Sequence, residues 1–130
     1  MSGKRLEIVL TRLLAGYLDT PMLVVDAAGT TLFFNEPAEM LLGQHFDETG
    51  ELPLSAWSTV FAPTDSDGAP LPTHKLPMMT ALAERRPTHG AFWIRGLDGK
   101  QRYVEVTALP LIGVEKAELG AVATLWETEP

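Results

Sequence analysis

The residues that could carry out hydrolysis do not form a recognisable set. A hydrolase needs a nucleophile, a base and a group that orients the base. Ser55, Ser58, Ser66 and the three histidines all fall in predicted loops or helix ends, and no Gly-x-Ser-x-Gly sequence occurs. The glycines stand singly at turns, so phosphate loops of the Walker or dinucleotide type are absent. We therefore expect no enzymatic activity.

The carboxylates and the potential metal ligands also fail to form a recognisable site. Glu105 and Glu127 fall on predicted strands, where we interpret them as solvated or edge residues and not as an acid/base pair. The histidines are too scattered in the sequence to indicate a zinc site. The chain has no Cys, which excludes disulfides, thiolate nucleophiles and thiolate metal ligands. We expect no bound metal.

Bulk composition limits the class of protein. The 130 residues, 45% hydrophobic and 21% charged, suffice for one globular domain. The formal net charge of −7 argues against binding a nucleic-acid backbone, which needs clustered Lys and Arg. No apolar run approaches the roughly 20 residues of a membrane span, and the N-terminus lacks a signal-peptide core. We expect a cytoplasmic protein that binds neither nucleic acid nor membrane.

The first 18 residues predict an amphipathic helix that ends before Pro21. Its apolar residues recur at three- and four-residue spacing and are Leu6, Val9, Leu10, Leu13 and Tyr17. Ile8 and Leu14 widen this stripe beyond what one packing seam needs. Two interpretations stay open. The helix lies on its own domain, or it also pairs with a second copy of the chain.

The rest of the chain predicts an α+β fold. Strands are expected over 22–26 and 30–35, followed by a helix over 36–42 that Asn35 caps and Gly43 ends. Met40 and Leu41 are expected to face the core from this helix. Residues 44–73 are irregular apart from a short helix over 54–61, and a further helix covers 76–86.

Three strands complete the chain. Asp98-Gly99 lies between runs over 90–96 and 101–110 and is a hairpin signal, because Gly accepts the positive φ of tight turns. Val104, Val106 and Ala108 show the two-residue period of a half-buried strand, and a last run covers 119–126. This order predicts one five-stranded antiparallel sheet with the middle helices on one face.

The order of elements and several local strings resemble the PAS domain family of sensory modules. The strings are Val24-Val-Asp26 with Gly29, Phe34-Asn-Glu-Pro-Ala-Glu-Met-Leu-Leu-Gly43, Asp67-Gly-Ala-Pro-Leu-Pro72 with Leu76-Pro77, Asp98-Gly99, Arg102-Tyr-Val-Glu-Val-Thr-Ala-Leu-Pro110 and Gly120-Ala-Val. The resemblance covers 19–127 and implies a PAS-like domain over 19–130, preceded by a cap or dimerisation helix over 1–18. The family's closing Asp-x-Thr corner is represented by Glu127-Thr128. No effector domain follows it in the sequence, so we expect a signalling partner or an effector domain elsewhere to provide the output.

The resemblance also implies a pocket between the inner face of the sheet and the middle helices. Its expected lining is Met40, Leu41, Trp57, Met78, Met79, Leu82, Phe92, Ile94, Val104, Val106 and Leu125. This apolar set would either hold a small apolar ligand or form a filled core. Thr31, Asn35 and Trp57 are the polar candidates to orient a ligand.

Placing the last three strands as the PAS family does also puts Trp93, Tyr103, Val122 and Trp126 on the outer face of the sheet. Large apolar side chains are costly to leave in water. We therefore expect the first helix to dock across this face with its apolar stripe, in a homodimer.

Cofactors known from the family are not expected here. Light-sensing members join flavin to a Cys, which this chain lacks, and the inward set offers few groups to bond a noncovalent flavin. Haem-binding members place an axial His on the last helix before the third strand, where this chain carries Met78, Met79 and Leu82.

The function implied is a sensory or signal-transduction domain that binds a small apolar ligand or a protein partner and transmits through helix and dimer packing. The alternative is a ligand-free structural dimerisation or scaffold domain with a filled core.

Overall fold

A computed structural model describes residues 6–15 and 17–130, and within the first helix it places the side chains of residues 8, 10, 11, 13 and 14. The elements follow in the order α1 (Leu6–Ala15), β1 (Met22–Asp26), β2 (Thr31–Phe34), α2 (Glu36–Leu42), α3 (Phe46–Thr49), α4 (Leu54–Phe61), α5 (Pro77–Glu84), β3 (Thr88–Arg95), β4 (Gln101–Ile112) and β5 (Glu118–Glu127). Two short 3-10 helices lie at Thr73–Lys75 and Val114–Lys116.

The five strands form one antiparallel sheet in the order β2-β1-β5-β4-β3, which confirms the predicted sheet. β1 lies between β2 and β5, so its side chains meet other residues on both faces. This position explains its run of four apolar residues, all of which are buried.

β1 and β5 approach each other so closely that position 120 requires glycine. Gly120 pairs with Asp26 and has a φ of 150°. A Cβ at this position would lie 2.0 Å from the carbonyl oxygen of Val25, well inside van der Waals contact. Any larger residue would have to push the two central strands apart.

The β3–β4 hairpin turns where the sequence predicts it. Asp98 Oδ1 accepts a hydrogen bond from the Lys100 N–H at 3.1 Å, and Gly99 has a φ of 84°. β4 continues through Pro110, beyond its predicted end. Proline is tolerated there because the pairing of β3 with β4 stops at Ala108, so this part of β4 pairs only with β5.

Asn35 begins α2 and fastens it to the start of β1. Its side-chain oxygen accepts hydrogen bonds from the N–H groups of Ala38 (3.2 Å) and Met22 (2.9 Å), and its amide donates to the carbonyl of Thr20 (2.8 Å). The predicted cap is confirmed, and the side chain is bound to backbone groups of its own chain. Asn35 therefore fixes the position of α2 relative to β1.

α3 lies in the stretch that was predicted to be irregular, so the sequence prediction is wrong at this helix. The Phe46 ring packs edge-on against Phe33 and Phe34, with centroids 5.3 and 5.1 Å apart. A four-residue helix is too short to show a helical period in sequence. Its position depends on this tertiary contact.

Candidate functional site

The two faces of the sheet carry two separate apolar clusters. The inner cluster lies between the sheet and helices α2, α4 and α5. The outer cluster is smaller and consists of Ile8, Met22, Val24, Leu32, Leu119 and Val122, with Phe33, Leu111 and Ala117 at its border. On β1, Leu23 and Val25 belong to the inner cluster and Val24 to the outer one, as strand alternation requires.

Most residues expected to line a pocket lie together in the inner cluster. The fully buried members are Trp57, Met78, Leu82, Phe92, Ile94, Val104, Val106 and Leu125, and Leu41 and Met79 are half-buried at its border. These side chains pack against one another as a continuous core.

Met40 does not face the core, which corrects the sequence prediction. Its side chain is 74% exposed, whereas Ala38 and Leu42 are the buried residues of α2. Positions 38 and 42 are one turn apart on the same side of the helix, and position 40 lies on the opposite side.

Two buried hydrogen-bond donors on α4 lack a partner in the described part of the chain. They are Trp57 Nε1 and Ser58 Oγ. The indole of Trp57 packs against the Phe61 ring with centroids 5.1 Å apart. A buried donor left without an acceptor costs about 1–3 kcal/mol. An acceptor brought to either atom would therefore gain a hydrogen bond that no described residue supplies.

Thr31, another polar candidate, is fixed in position through its backbone. It is buried, and its backbone N–H and carbonyl pair with those of Leu52 at 2.7 and 3.0 Å. Of the three polar candidates, Trp57 is the one whose side-chain donor has no acceptor among the described residues.

Helix α1 lies over β1 and β5 and contacts the outer cluster through Ile8, which is 5% exposed. Leu10, Leu13 and Tyr17 are 53%, 57% and 87% exposed, so they do not pack on the sheet of their own chain, and their role in a dimer stays a prediction. At about 100° per residue, Leu10 and Leu13 lie roughly 200° and 140° around the helix from Ile8, and Tyr17 follows the end of the helix. Docking through Ile8 therefore turns Leu10 and Leu13 outward.

Two residues of the predicted stripe, Leu6 and Val9, have side chains outside the described residues. The structure therefore neither supports nor contradicts their predicted role.

The aromatic side chains on the outer face of β3, β4 and β5 stay partly exposed. Trp93 and Tyr103 are paired across β3 and β4 with ring centroids 5.2 Å apart, so each shields the other. Trp126 is 38% exposed and packs against the His89 ring, with centroids 5.9 Å apart. Of the four sheet residues expected beneath the helix, Val122 is the one in the cluster that contains Ile8.

Titratable side chains form local pairs near the surface. His45 Nδ1 lies 2.9 Å from Glu39 Oε1, and this hydrogen bond raises the pKa of His45 above its ordinary 6.5. His89 Nδ1 lies 2.8 Å from Thr107 Oγ1, and its Nε2 lies 3.7 Å from Glu105 Oε1. In the parts of the chain that the structure describes, no three His, Asp or Glu side chains are arranged to hold a metal ion.

Arg102 ties the β3–β4 turn to the end of α2. Its guanidinium donates to both carboxylate oxygens of Asp98, at 3.2 and 2.8 Å, and to the carbonyl of Leu41 at 3.0 Å. The hydrogen bond from Arg102 lowers the pKa of Asp98 to about 2.

Comparison with known proteins identifies the fold. No protein-family model and no curated protein matches the chain. The PAS domain of the HTR-like protein from Haloarcula marismortui superposes with a TM-score of 0.64 at 22% identity, over 95% of each chain. The PAS domain of Bordetella pertussis BvgS gives 0.67 at 19% identity, over 95% of this chain and 88% of that one. A PAS domain from a two-component sensor histidine kinase gives 0.63 at 13% identity, over 95% and 97%.

The chain therefore has the PAS fold, as its sequence predicts. Within the described residues, no helix has the length and apolar character needed to cross a membrane.

Proposed function

We propose that this chain is a sensory or signal-transduction domain that transmits through the packing of α1 against the outer face of the sheet and against a second copy of the chain. The observation that carries the proposal is the exposed side of α1, where Leu10 and Leu13 face outward while Ile8 anchors the helix, with the exposed Tyr17 just beyond the helix. Exposed apolar side chains on adjacent helical turns favour burial by a partner. The histidine-kinase origin of one structural neighbour supports a signalling role by analogy of fold.

The central strands offer a physical route between the two faces. Val24 and Val122 belong to the outer cluster with Ile8, and their neighbours on β1 and β5 belong to the inner cluster. A change in inner packing would therefore shift the surface on which α1 rests. Transmission requires a ligand or partner that binds two packings of α1 with different affinity.

Deletion of residues 1–18 tests the role of the helix. We expect the full chain to sediment as a dimer and the deleted chain as a monomer. Because the deletion also uncovers the outer cluster, a Leu10→Ser/Leu13→Ser variant that keeps Ile8 should give the same monomer while remaining folded. A dimer of unchanged stability in both would refute pairing through the helix.

A small ligand on the inner face is the finer part of the proposal. It is supported by the unpartnered donors Trp57 Nε1 and Ser58 Oγ. Native mass spectrometry of protein purified from its own host should detect a bound small molecule, and Trp57→Phe should lower its occupancy. We expect no haem or flavin absorbance from this protein.

The second candidate is a ligand-free dimerisation or scaffold domain in the cytoplasm. It is favoured by the dense packing of the inner cluster, whose large side chains are almost completely buried. The same mass spectrum decides between the two, because a dimer without small-molecule adducts supports the scaffold. In either case we propose a non-enzymatic role.

A further inference from the structure

A groove crosses α2 from the end of α1 to the β3–β4 hairpin. It consists of two depressions of about 600 and about 450 Å3 that share Glu36 and Met40 as lining residues. The larger depression lies against the hairpin and α3, and the smaller one lies against the segment after α1.

The middle of the groove is apolar. Met40 is the side chain that α2 turns away from the core, and it lies where the two depressions meet. Pro37, Leu18 and Tyr17 continue the apolar lining toward α1. Met is a flexible, polarizable side chain that adapts to the shape of a bound partner.

The rim of the groove is acidic. The carboxylates of Asp19, Glu36 and Glu48 make no hydrogen bond or ion pair with any described residue. The two cations in the lining, Lys100 and Arg102, are outnumbered by the five carboxylates of Asp19, Glu36, Glu39, Glu48 and Asp98, and the guanidinium of Arg102 is already bound to Asp98. The same carboxylates raise the pKa of His45, Glu39 most strongly through its hydrogen bond and Glu48 and Glu36 to a smaller extent.

The walls of the groove are fixed by hydrogen bonds. The N–H of Leu97 donates to the carbonyl of Leu42 at 2.8 Å, which joins the hairpin to the end of α2. Glu39 Oε2 accepts from the N–H of Phe46 at 2.7 Å, which joins α2 to α3. A groove with walls held in this way loses little conformational freedom when a partner binds.

We propose that this groove binds a basic amphipathic segment of a protein partner. An apolar side chain of the segment packs on Met40, and flanking Lys or Arg side chains approach Glu36 and Glu48. Charge complementarity selects this occupant, because the rim repels a nucleic-acid backbone and the carboxylates are not arranged to hold a metal ion in the described part of the chain. Tyr17 lines the α1 end of this groove and also belongs to the surface proposed for pairing, but Glu36, Met40 and Glu48, on which the binding of the segment depends, lie outside α1.

The test is a titration of the 15N-labelled full chain with a synthetic helical 14-residue peptide that carries leucines on one face and three flanking arginines. A matched peptide with glutamates in place of the arginines is the control probe. We expect amide shifts at α2, α3 and the β3–β4 turn with the arginine peptide, and no binding of the glutamate peptide.

Variants locate the site. Glu36→Gln/Glu48→Gln should weaken binding about fivefold, in line with two exposed charge contacts. Glu115→Gln/Glu118→Gln makes the same charge change beside the β4–β5 turn, at the opposite end of the sheet, and should change binding less than about twofold. Met40→Ala should also weaken binding about fivefold, and it should leave the fold intact because Met40 is exposed.

Three outcomes would overturn the proposal. Equal weakening by both glutamine pairs would mean unspecific attraction to an acidic protein. Amide shifts confined to the outer face of the sheet would place binding elsewhere. If a peptide of residues 1–15 of this chain binds and the arginine peptide does not, the occupant is a second copy and not a separate partner.

Discussion

The inner and outer faces of the sheet bury apolar side chains to very different extents. The inner face is covered by three helices, and its large side chains have almost no contact with water. Among the described residues, the outer face is covered near β1 and β5, where Ile8 belongs to one cluster with Val24 and Val122, and its aromatic residues on β3 to β5 remain partly exposed. The inner face therefore determines the stability of the fold, and the outer face leaves surface for a partner.

The largest expected difference between the two faces is in the stability cost of truncating neighbouring side chains of β3. Phe92→Ala on the inner face should lower the free energy of unfolding by about 3–5 kcal/mol, because it opens a cavity in a closed core. Trp93→Ala on the outer face should cost about 1–2 kcal/mol, since it removes one half-buried ring from the pair with Tyr103. Chemical denaturation of both variants measures the difference. Equal costs would mean that the two faces are equally important for stability.

Helix α1 gives a smaller contrast within one element. Ile8→Ala should cost about 2 kcal/mol, because Ile8 is a buried contact of the helix with the outer cluster. Leu14→Ala should stay within about 0.5 kcal/mol, because Leu14 is exposed and alanine favours helix. Thermal and chemical unfolding check both values. A large cost at Leu14 would mean that the helix docks with a different side toward the sheet.

The smallest expected effect on stability comes from the ion pair of Asp98 and Arg102 at the β3–β4 turn, and this effect depends on pH. The pKa of Asp98 is lowered from 3.8 to about 2 by its hydrogen bond with Arg102. The carboxylate therefore stabilises the folded state above about pH 4, and this contribution is lost as pH falls toward 2.

The stability difference between the native chain and Asp98→Asn should be present at pH 7 and shrink over that interval. Urea titrations at several pH values measure it. A difference that stays constant down to pH 2 would show that the ion pair does not stabilise the fold.

The sequence predicted the sheet well because strand alternation and turn chemistry are local signals. The alternation of Val104 and Val106 and the Asp98-Gly99 turn identified β4 and its hairpin without tertiary information. The burial of β1 on both faces was equally readable from its four apolar residues. These features depend on neighbouring residues in the chain.

The docking side of α1 could not be predicted in the same way. Leu10, Leu13 and Tyr17 form the wider apolar stripe, yet the helix docks through Ile8. A helix that is apolar on two sides can dock through either side. Which side packs on the sheet depends on the surface it meets, here the outer cluster that contains Val24 and Val122. The exposure of Met40 has a related cause, because the buried pair Ala38 and Leu42 already uses the other side of α2.

The central claim is that the exposed side of α1 binds a second copy of the chain. Sedimentation equilibrium of the native chain, Leu13→Ser and Leu97→Ser tests it with two exposed leucines, one on α1 and one at the β3–β4 turn. We predict a dimer for the native chain, a dissociation constant at least about tenfold higher for Leu13→Ser, and no change for Leu97→Ser. A monomeric native chain, or equal dimers in all three proteins, would contradict the claim.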